Sequence, residues 1–434
     1  MLKNVANTDK HLCCSCGICE GVCNQGAITM KENVEGFYVP EIDMNKCNNC
    51  GLCYAVCPGD KINDKQIYSS MNQAVPKDYL IGNVKECFNG KIKDKELRDK
   101  CTSGGMVTGI IKYLLEAEQY DVAFCVDTYN YSNQVRTVLI KKGDDLNKTL
   151  QSRYVTVSHS NLVKYMLANR DKKIIIVAVG CVMAGIRYLI EKFKLNPRNY
   201  LCLGLFCACQ YSYRTWDYFQ LYNRKDNLTA LEFRNKNGKR YAYGMIKATY
   251  GFKEKIMHTI HKAYIKSDFS MERCLYCTDL LNVYADISFG DNNTKTKDGE
   301  SCTVIVRSEL GEKVIELYEK QKMFYKEVIS VDVIKDVKDR RKREYFQAVF
   351  ANEHNRDSIY ADRTDVEENV WRQYEDAYHK KIKKHFEALD KSKLKSLWFT
   401  NQLRYYKLKI FNKSYLSELP QKQMKVGKTN DKDR

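Results

Sequence analysis

Eight cysteines near the start of the chain fall into two runs with the same spacing. Both runs read C-x2-C-x2-C-x3-C, and their members are Cys13, Cys16, Cys19 and Cys23, then Cys47, Cys50, Cys53 and Cys57. Thiols packed this densely oxidise readily unless they bind a ligand, and three cysteines in one short loop are typical of metal ligands. This stretch is therefore expected to fold around bound metal.

The spacing is that of two [4Fe–4S] clusters in bacterial ferredoxins, where the fourth cysteine of each run binds the other cluster. The expected ligand sets are Cys13, Cys16, Cys19 and Cys57 for one cluster, and Cys47, Cys50, Cys53 and Cys23 for the other. Zinc is the alternative, but four-cysteine zinc sites use two separated C-x2-C pairs. Asn24 replaces the proline that usually follows the fourth cysteine, and the remaining Cys14 is expected to face solvent.

The composition is that of a folded protein with reduced thiols. The chain has 434 residues, 44% of them hydrophobic, which allows two or three domains. Its start lacks the apolar segment of a signal peptide, and the longest apolar run, Ile174 to Ile186, is shorter than the roughly 20 residues that span a bilayer. We therefore expect a cytoplasmic location, in which the 19 cysteines are ligands or catalytic groups and not disulfides.

After residue 77 the pattern changes to strands alternating with helices. The predicted elements are strands at 121–126, 134–142, 172–179 and 200–206, and helices from Gly104, at 161–169 and at 184–193. Asn237-Gly238 predicts a hairpin turn within 234–244. Near-continuous apolar strands between helices indicate a mainly parallel sheet that is covered on both faces.

Four more cysteines form a second candidate metal site in this region. Cys181 and Cys207 each follow a buried strand, at the carboxyl end where open α/β sheets bind ligands. Cys274 and Cys277 add a C-x2-C pair, so the four together could close a third [4Fe–4S] site. The alternative is that Cys181 and Cys207 are ordinary buried thiols, since free cysteine is often a core residue.

The segment "TSGGMVTG" opens a helix with small residues, whose free N–H groups and positive dipole end can bind a phosphate or pyrophosphate. Arg153, in "SRY", adds a cation for a second phosphate oxygen. The sequence contains no Walker A loop, no nucleophile elbow and no Ser/His/Asp set, and its seven histidines show no metal-ligand grouping. The common classes of nucleotide hydrolase and serine hydrolase are therefore excluded.

The positive charge of the chain is concentrated towards its end. The net charge is +18, and residues 379–434 contain 16 lysines and arginines against 5 acidic residues. Helical spacing predicts basic amphipathic helices from residue 331 onward. We interpret this extension either as a solvated set of helices or as a surface for an acidic redox partner or an anionic membrane. It has no nucleic-acid-binding motif, so nucleic acid is not expected as a partner.

In their order along the chain, these motifs resemble the family of beta subunits of hydrogenases and dehydrogenases that use coenzyme F420, a deazaflavin. The resemblance runs from about His11 to about Leu317, and after the cysteine runs it is carried by "CTSGGMVTGIIKYLLE", "SRYV", "GCVMAGIR", "LFCACQYS", "FRNKNGKRYAYG", "CLYC" and "DISFGD". It implies an FAD on the α/β domain beside a [4Fe–4S] cluster. The residues that it implies are Cys181, Cys207, Cys274 and Cys277 for that cluster, and Ser103, Gly104, Gly105 and Arg153 for the flavin.

The sequence departs from the family pattern at several positions. Val179-Gly180 precede Cys181, where a Thr-Pro or similar pair is usual, and Val182 follows it in place of glutamine. Cys209 stands where glycine is common, so it competes with Cys207 as a ligand, and Arg153 replaces a lysine near the flavin. The extension after residue 330 lies outside the resemblance.

The sequence thus predicts four regions. They are a two-cluster, ferredoxin-like α+β domain at 1–70, the two parts of a flavin-binding α/β region at 77–160 and 161–330, and a basic helical extension at 331–434. The predicted function is that of an iron–sulfur flavoprotein oxidoreductase, which passes electrons through clusters to FAD and on to a substrate or a deazaflavin coenzyme. Its redox partner would be ferredoxin, flavodoxin or another enzyme subunit. The alternative is a non-catalytic electron-transfer subunit that docks to a partner enzyme.

Overall fold

A computed structural model describes most of the chain before residue 335 and one helix after it. The described residues are 4–8, 12–59, 62–127, 135–236, 245–257, 261, 265, 268–292, 294, 300–334 and 393–411.

The N-terminal domain consists of two similar halves. In each half a cysteine loop ends at a glycine with left-handed backbone, Gly17 (φ 70°) or Gly51 (φ 78°), and a short helix begins at the next residue. Glycine adopts this conformation without steric cost, so it permits the tight reversal. The elements are α1 (Ile18–Val22), β1 (Ile28–Glu32), β2 (Tyr38–Ile42), α2 (Leu52–Ala55) and α3 (Asp64–Ser70), with β1 and β2 antiparallel.

The rest of the described chain alternates strands and helices. The strands are β3 (Glu86–Ile92), β4 (Val122–Val126), β5 (Val135–Ile140), β6 (Val157–Ser158), β7 (Ile174–Val179), β8 (Tyr200–Leu205), β9 (Leu228–Asn235), β10 (Met245–Tyr250), β11 (Lys253–Met257), β12 (Ile287–Asp291), β13 (Cys302–Val306) and β14 (Phe324–Val328). The helices are α4 (Lys95–Lys100), α5 (Met106–Glu116), α6 (Ser160–Ala168), α7 (Gly180–Lys192), α8 (Arg214–Gln220), α9 (Arg273–Tyr276), α10 (Glu309–Lys320) and α11 (Leu394–Phe411).

Nine of these strands form one mixed sheet, in the order β14-β3-β13-β12-β8-β7-β4-β5-β6. Its centre, β12-β8-β7-β4, is parallel as the sequence predicts. The expectation of a mainly parallel sheet is wrong, because β14, β3, β13 and β12 pair antiparallel in succession, as do β4 and β5, although β5 and β6 at the edge pair parallel. The connections from β4 to β5 and from β12 to β13 are too short for the helical crossover that a parallel pair requires.

Helices cover both faces of the sheet, as predicted. Along β7, Ile174 and Ile176 pack with α6, α7 and the N-terminal domain, whereas Ile175 and Val177 pack with α5 and α10. Successive strand residues point to opposite faces, so each apolar strand contributes to both cores.

A smaller antiparallel sheet, β11-β10-β9, extends from the main domain. The pairing of β9 with β10 confirms a hairpin, while its predicted Asn237-Gly238 turn lies outside the described residues. Helix α11 packs against α8 beside this sheet, and Asn401 at its centre is fully buried. The rest of the predicted helical extension, 335–392 and 412–434, also lies outside the described residues. No described helix is both long and apolar enough to cross a membrane.

Replacement of Gly21 by alanine tests the close contact between α1 and α6. Helix propensity alone would favour alanine by about 1 kcal/mol. A Cβ atom at Gly21, however, would lie 2.6 Å from Cβ of Val163 and 2.7 Å from the carbonyl oxygen of Ser160. We therefore expect Gly21→Ala to lower the free energy of unfolding by about 1–3 kcal/mol, measured by anaerobic denaturation. Gly26→Asn is the control, because a Cβ there meets no atom within 4 Å and asparagine tolerates the left-handed backbone. A stabilising Gly21→Ala would contradict this packing.

Asn401→Ala tests the docking of α11. The Asn401 amide nitrogen lies 3.2 Å from Oδ2 of Asp268 and 3.4 Å from Oη of Tyr218. Removing a buried donor leaves its partners unsatisfied, at a cost of about 1–3 kcal/mol. We expect limited proteolysis to cleave Asn401→Ala near α11 several-fold faster than the native chain. Leu403→Ala, on the exposed side of the same helix, should be cleaved at the native rate. Equal rates for both variants would rule out an anchoring role.

Candidate iron–sulfur and cofactor site

The structure brings the first three cysteines of one run together with the last cysteine of the other run. Cys57 interacts electrostatically with Cys13, Cys16 and Cys19, and the backbone N–H of Gly59 donates to Sγ of Cys57 over 3.3 Å. Burial raises the pKa of Cys13 to about 12 and that of Cys57 to about 11. These thiols therefore stay protonated at neutral pH in the absence of metal, and metal binding must release their protons.

The remaining cysteines of the two runs form a second group, nearer the surface. Cys23 and Cys50 are electrostatic neighbours of Cys53, whose thiol also accepts the backbone N–H of Val5. The Asn4 amide donates to Sγ of Cys47 over 3.6 Å, so the turn at residues 4–7 lies against this group. Cys50 is the exposed member. The structure thus places Cys57 near the first three cysteines of the first run, and Cys23 near Cys53 of the second run.

A third group of thiols lines a largely apolar cavity between the N-terminal domain and the main sheet. We call it the six-thiol cavity, and its cysteines are Cys14, Cys181, Cys207, Cys209, Cys274 and Cys277. Strand order explains the grouping, because Cys181 lies in the first turn of α7, directly after β7, and Cys207 lies two residues after β8. The short helix α9 carries Cys274 and ends at Cys277. The four cysteines predicted for a third cluster therefore meet, together with two others.

The position of Cys14 in the structure contradicts the prediction from the sequence. Cys14 is only 3% exposed, and its thiol lies next to that of Cys16 in the first group and that of Cys181 in the six-thiol cavity. The expectation that it faces solvent is wrong because its loop is covered by the main domain, a contact between distant segments that local spacing does not report. Cys14 therefore lies between two of the cysteine groups.

The donors present fit iron–sulfur clusters. The thiols converge in groups of four or more, and backbone N–H groups point at sulfur, as at Ala27 to Cys23 (3.3 Å) and Gln210 to Cys274 (3.4 Å). Such hydrogen bonds and burial are the features that tune cluster-bound thiolates. Among the residues that the structure describes, no three His, Cys, Asp or Glu side chains converge closely enough for a single metal ion.

The residues implied for the flavin lie together at the carboxyl edge of the sheet. Gly105 (φ 75°) caps α5, and a Cβ on Gly104 would collide with the carbonyl oxygen of Gly90 in β3, so only glycine lets this loop lie against the strand. Arg153 donates through Nε to the carbonyl oxygen of Asp127, just after β4, over 3.2 Å. The hydroxyls of Thr102 and Ser152, 3.2 Å apart, link the loop that includes Ser103 to the Arg153 segment.

An aromatic pair that the sequence analysis missed connects these two sites. The rings of Tyr154 and Tyr211 stack with centroids 5.5 Å apart, and Tyr211 is an electrostatic neighbour of the Cys209 thiol. Beside them, Arg234 makes two 3.0 Å contacts with the Asp291 carboxylate at the end of β12. All four residues lie in motifs that carry the resemblance, namely "FRNKNGKRYAYG", "DISFGD", "SRYV" and "LFCACQYS", but nothing in these motifs indicates that the two tyrosines pair.

Known protein families match three consecutive parts of the chain. Residues 12–61 match the 4Fe-4S dicluster domain. Residues 87–164 match the N-terminal part of the coenzyme F420 hydrogenase/dehydrogenase beta subunit, and residues 171–331 match its C terminus. The two beta-subunit matches together cover more than half of the chain.

Several individual proteins are similar to this chain. One subunit of the F(420)H(2) dehydrogenase of Methanosarcina mazei is 24% identical, over 73% of this chain and 85% of that protein. The beta subunit of the coenzyme F420 hydrogenase of Methanococcus voltae is 28% identical, over 59% and 87%. The coenzyme F420-dependent sulfite reductase of Methanocaldococcus jannaschii is 23% identical, over 81% of this chain and 52% of that protein.

Among solved structures, a chain of the F420-reducing [NiFe] hydrogenase complex from Methanosarcina barkeri is similar, with a TM-score of 0.48 and 19% identity. The similarity covers 63% of this chain and 96% of that one. From the family matches, the chain carries a 4Fe–4S dicluster domain and belongs to the family of coenzyme F420 hydrogenase/dehydrogenase beta subunits, whose members are oxidoreductases.

Proposed function

We propose that the chain is an iron–sulfur flavoprotein oxidoreductase that exchanges electrons between a one-electron redox partner and a two-electron substrate. The observation that carries this proposal is the six-thiol cavity, which lies between the ferredoxin-type cysteine groups and the aromatic pair that leads to the α5 loop. A deazaflavin coenzyme is the substrate class that the names of the relatives favour. A protein limited to ferredoxin-like transfer has no need of such a cavity.

Twelve cysteines would hold three [4Fe–4S] clusters in this proposal. The sets are Cys13, Cys16, Cys19 and Cys57; Cys23, Cys47, Cys50 and Cys53; and Cys181, Cys207, Cys274 and Cys277. When bound, such clusters take up and release single electrons, and a flavin interconverts one-electron and two-electron transfer. The protein contributes burial, N–H donors to sulfur, and a fixed order of sites.

The α5 loop would hold the phosphates of FAD through Ser103, Gly104 and Gly105. Contact with β3 keeps this loop at the carboxyl edge of the sheet, where the N-terminal N–H groups of α5 favour an anion. Arg153 is held at the same edge by its bond to Asp127, and its guanidinium suits a phosphate oxygen.

Electrons would be exchanged with the partner at the group that contains Cys50. That cysteine is exposed, whereas Cys16 and Cys19 of the next group are buried, so a partner approaches the Cys50 group most closely. Ferredoxin, flavodoxin or another enzyme subunit would serve, and two of the relatives are themselves named as subunits. The 19 free thiols support a reducing, cytoplasmic location. The four domain limits and a membrane contact of the basic extension stay predictions.

The composition of the anaerobically purified chain tests the whole proposal. Three clusters and one flavin require about 12 iron atoms, about 12 sulfides and one FAD per chain. We expect these values from iron, sulfide and extracted-flavin analysis. About 8 iron atoms without flavin would contradict the proposal and favour the alternative, a non-catalytic electron-transfer subunit.

Single substitutions in the six-thiol cavity test which thiols are ligands. Loss of one ligand should release a whole cluster, so Cys181→Ser and Cys207→Ser should each lower the iron content by about 4 atoms per chain. Cys14→Ser and Cys209→Ser are matched controls in the same cavity and should keep about 12. Iron loss in Cys209→Ser with full iron in Cys207→Ser would show that the two thiols exchange roles.

A further inference from the structure

We propose that Arg273 is a positioning residue that fixes the first cysteine group beside the six-thiol cavity and raises the reduction potential of both sites. The first group here is Cys13, Cys16, Cys19 and Cys57. This inference rests on the proposed function, because it takes the six-thiol cavity to hold a cluster.

The contacts of Arg273 join three segments that are distant in sequence. Its guanidinium donates through Nη1 to the carbonyl oxygen of Leu12 (2.8 Å) and through Nη2 to that of Pro58 (2.5 Å). Leu12 immediately precedes Cys13, and Pro58 immediately follows Cys57. One side chain therefore holds both ends of the first group, and its own neighbour in sequence is Cys274 of the cavity.

The planar fork of arginine suits this arrangement. It presents several donors in fixed directions, so it can bind two carbonyl groups at once, whereas the ammonium of lysine is a compact point charge on a flexible stem. The side chain is only 2% exposed, so these bonds are protected from competition with water. The planar guanidinium of Arg273 thereby fixes the distance between the first cysteine group and the six-thiol cavity.

The second effect of Arg273 is electrostatic. Its charge acts on thiols of both sites, namely Cys13, Cys14, Cys57 and Cys181. Reduction adds negative charge to a cluster, and a buried cation nearby stabilises that charge strongly because the local dielectric constant is low. For Cys53, in the group nearer the surface, the main influences on the pKa of the thiol are burial, the backbone of Val5 and Tyr54, and the neighbouring Cys23 and Cys50. Arg273 should therefore raise the potentials of the two inner sites more than that of the exposed one.

The test is a redox titration of the anaerobic, iron-loaded full chain, followed by electron paramagnetic resonance. We expect Arg273→Gln to shift the midpoint potentials of the two inner sites to more negative values, with little change at the exposed site. The magnetic splitting between the two reduced inner clusters should also weaken, because their fixed separation is lost. Arg273→Lys should restore the potentials towards native values, since it keeps the charge, but it should lower the midpoint of thermal unfolding.

Arg307→Gln is the matched control. Arg307 is also a fully buried arginine, and it donates to the carbonyl oxygens of Ile81, Asn83 and Leu281, but no cysteine proposed as a ligand lies among its contacts in the described residues. It should lower stability without moving any potential. A general loss of packing would affect both variants alike, and equal shifts in both would overturn the inference.

Two further outcomes separate this inference from the proposed function. If the native chain holds only about 8 iron atoms, the proposed function fails, and the potential of the first group alone still decides the role of Arg273. An unchanged potential in iron-loaded Arg273→Gln overturns that role whatever the iron content of the native chain. If Arg273→Gln does not assemble its clusters, Arg273→Lys is the deciding variant. Native potentials with a lowered thermal midpoint support the inference. Potentials and a thermal midpoint that are both native overturn it.

Discussion

The close contact between the cysteine-rich domain and the main sheet is the constraint on which the rest of the structure depends. The surfaces meet at positions where no side chain would fit. A Cβ on Gly17 would collide with the Ser158 hydroxyl, and one on Gly185 would lie 2.5 Å from Cδ1 of Ile18. The backbone N–H of His159 donates to the carbonyl oxygen of Cys16 over 2.8 Å. Glycine on both sides allows the two surfaces to approach closely, and this approach brings Cys14 to the six-thiol cavity.

The parallel centre of the sheet positions the other side of the six-thiol cavity. Helix α7 carries Cys181 in its first turn, and Arg187 of the same helix pairs with the buried Asp286 carboxylate over 3.2 Å. That carboxylate also accepts the backbone N–H of Cys202 in β8 over 2.8 Å. Breaking a buried ion pair of this kind typically costs about 3–5 kcal/mol, so the helix is held firmly against the strands. A thiol at its N-terminus is thus held at a fixed place relative to the strand ends.

The molecule uses burial in two different ways. The inner cysteine groups are buried or half-buried, and N–H donors and the Arg273 charge are among the polar neighbours of their thiols. In the sheet, burial of Cys125, Cys202 and Cys302 serves packing, and it raises the pKa of each thiol to about 12. Such thiols are inert hydrophobic side chains, which separates them physically from the candidate ligands.

Much of the candidate site could be predicted from the sequence because its signals are local. The two cysteine runs, the strands before Cys181 and Cys207, and the glycines that open α5 are short patterns whose chemistry follows from spacing. The antiparallel pairing of β3 with β13 and β14 could not be predicted, because the choice of neighbouring strands depends on the tertiary fold and not on the apolar run itself. The short connection between β4 and β5, by contrast, already requires an antiparallel pair. The packing of the extension could not be predicted either, because basic helical spacing gave no sign that Asn401 would be buried against α8.

The two cysteine runs, the parallel centre of the sheet and the small-residue loop of α5 could thus be predicted from the sequence alone. Only the tertiary structure places Cys14 with Cys181, Cys207 and Cys274, since local spacing does not relate residue 14 to the other three. In the tertiary structure Cys14, which was expected to face solvent, is buried between two of the cysteine groups. The tertiary structure also gave Arg273 a position between them, because one guanidinium reaches backbone carbonyls that are more than 200 residues away in the chain. The spacing of residues along the chain predicts what a side chain can bind, and the packing of distant segments determines which other residues lie beside it.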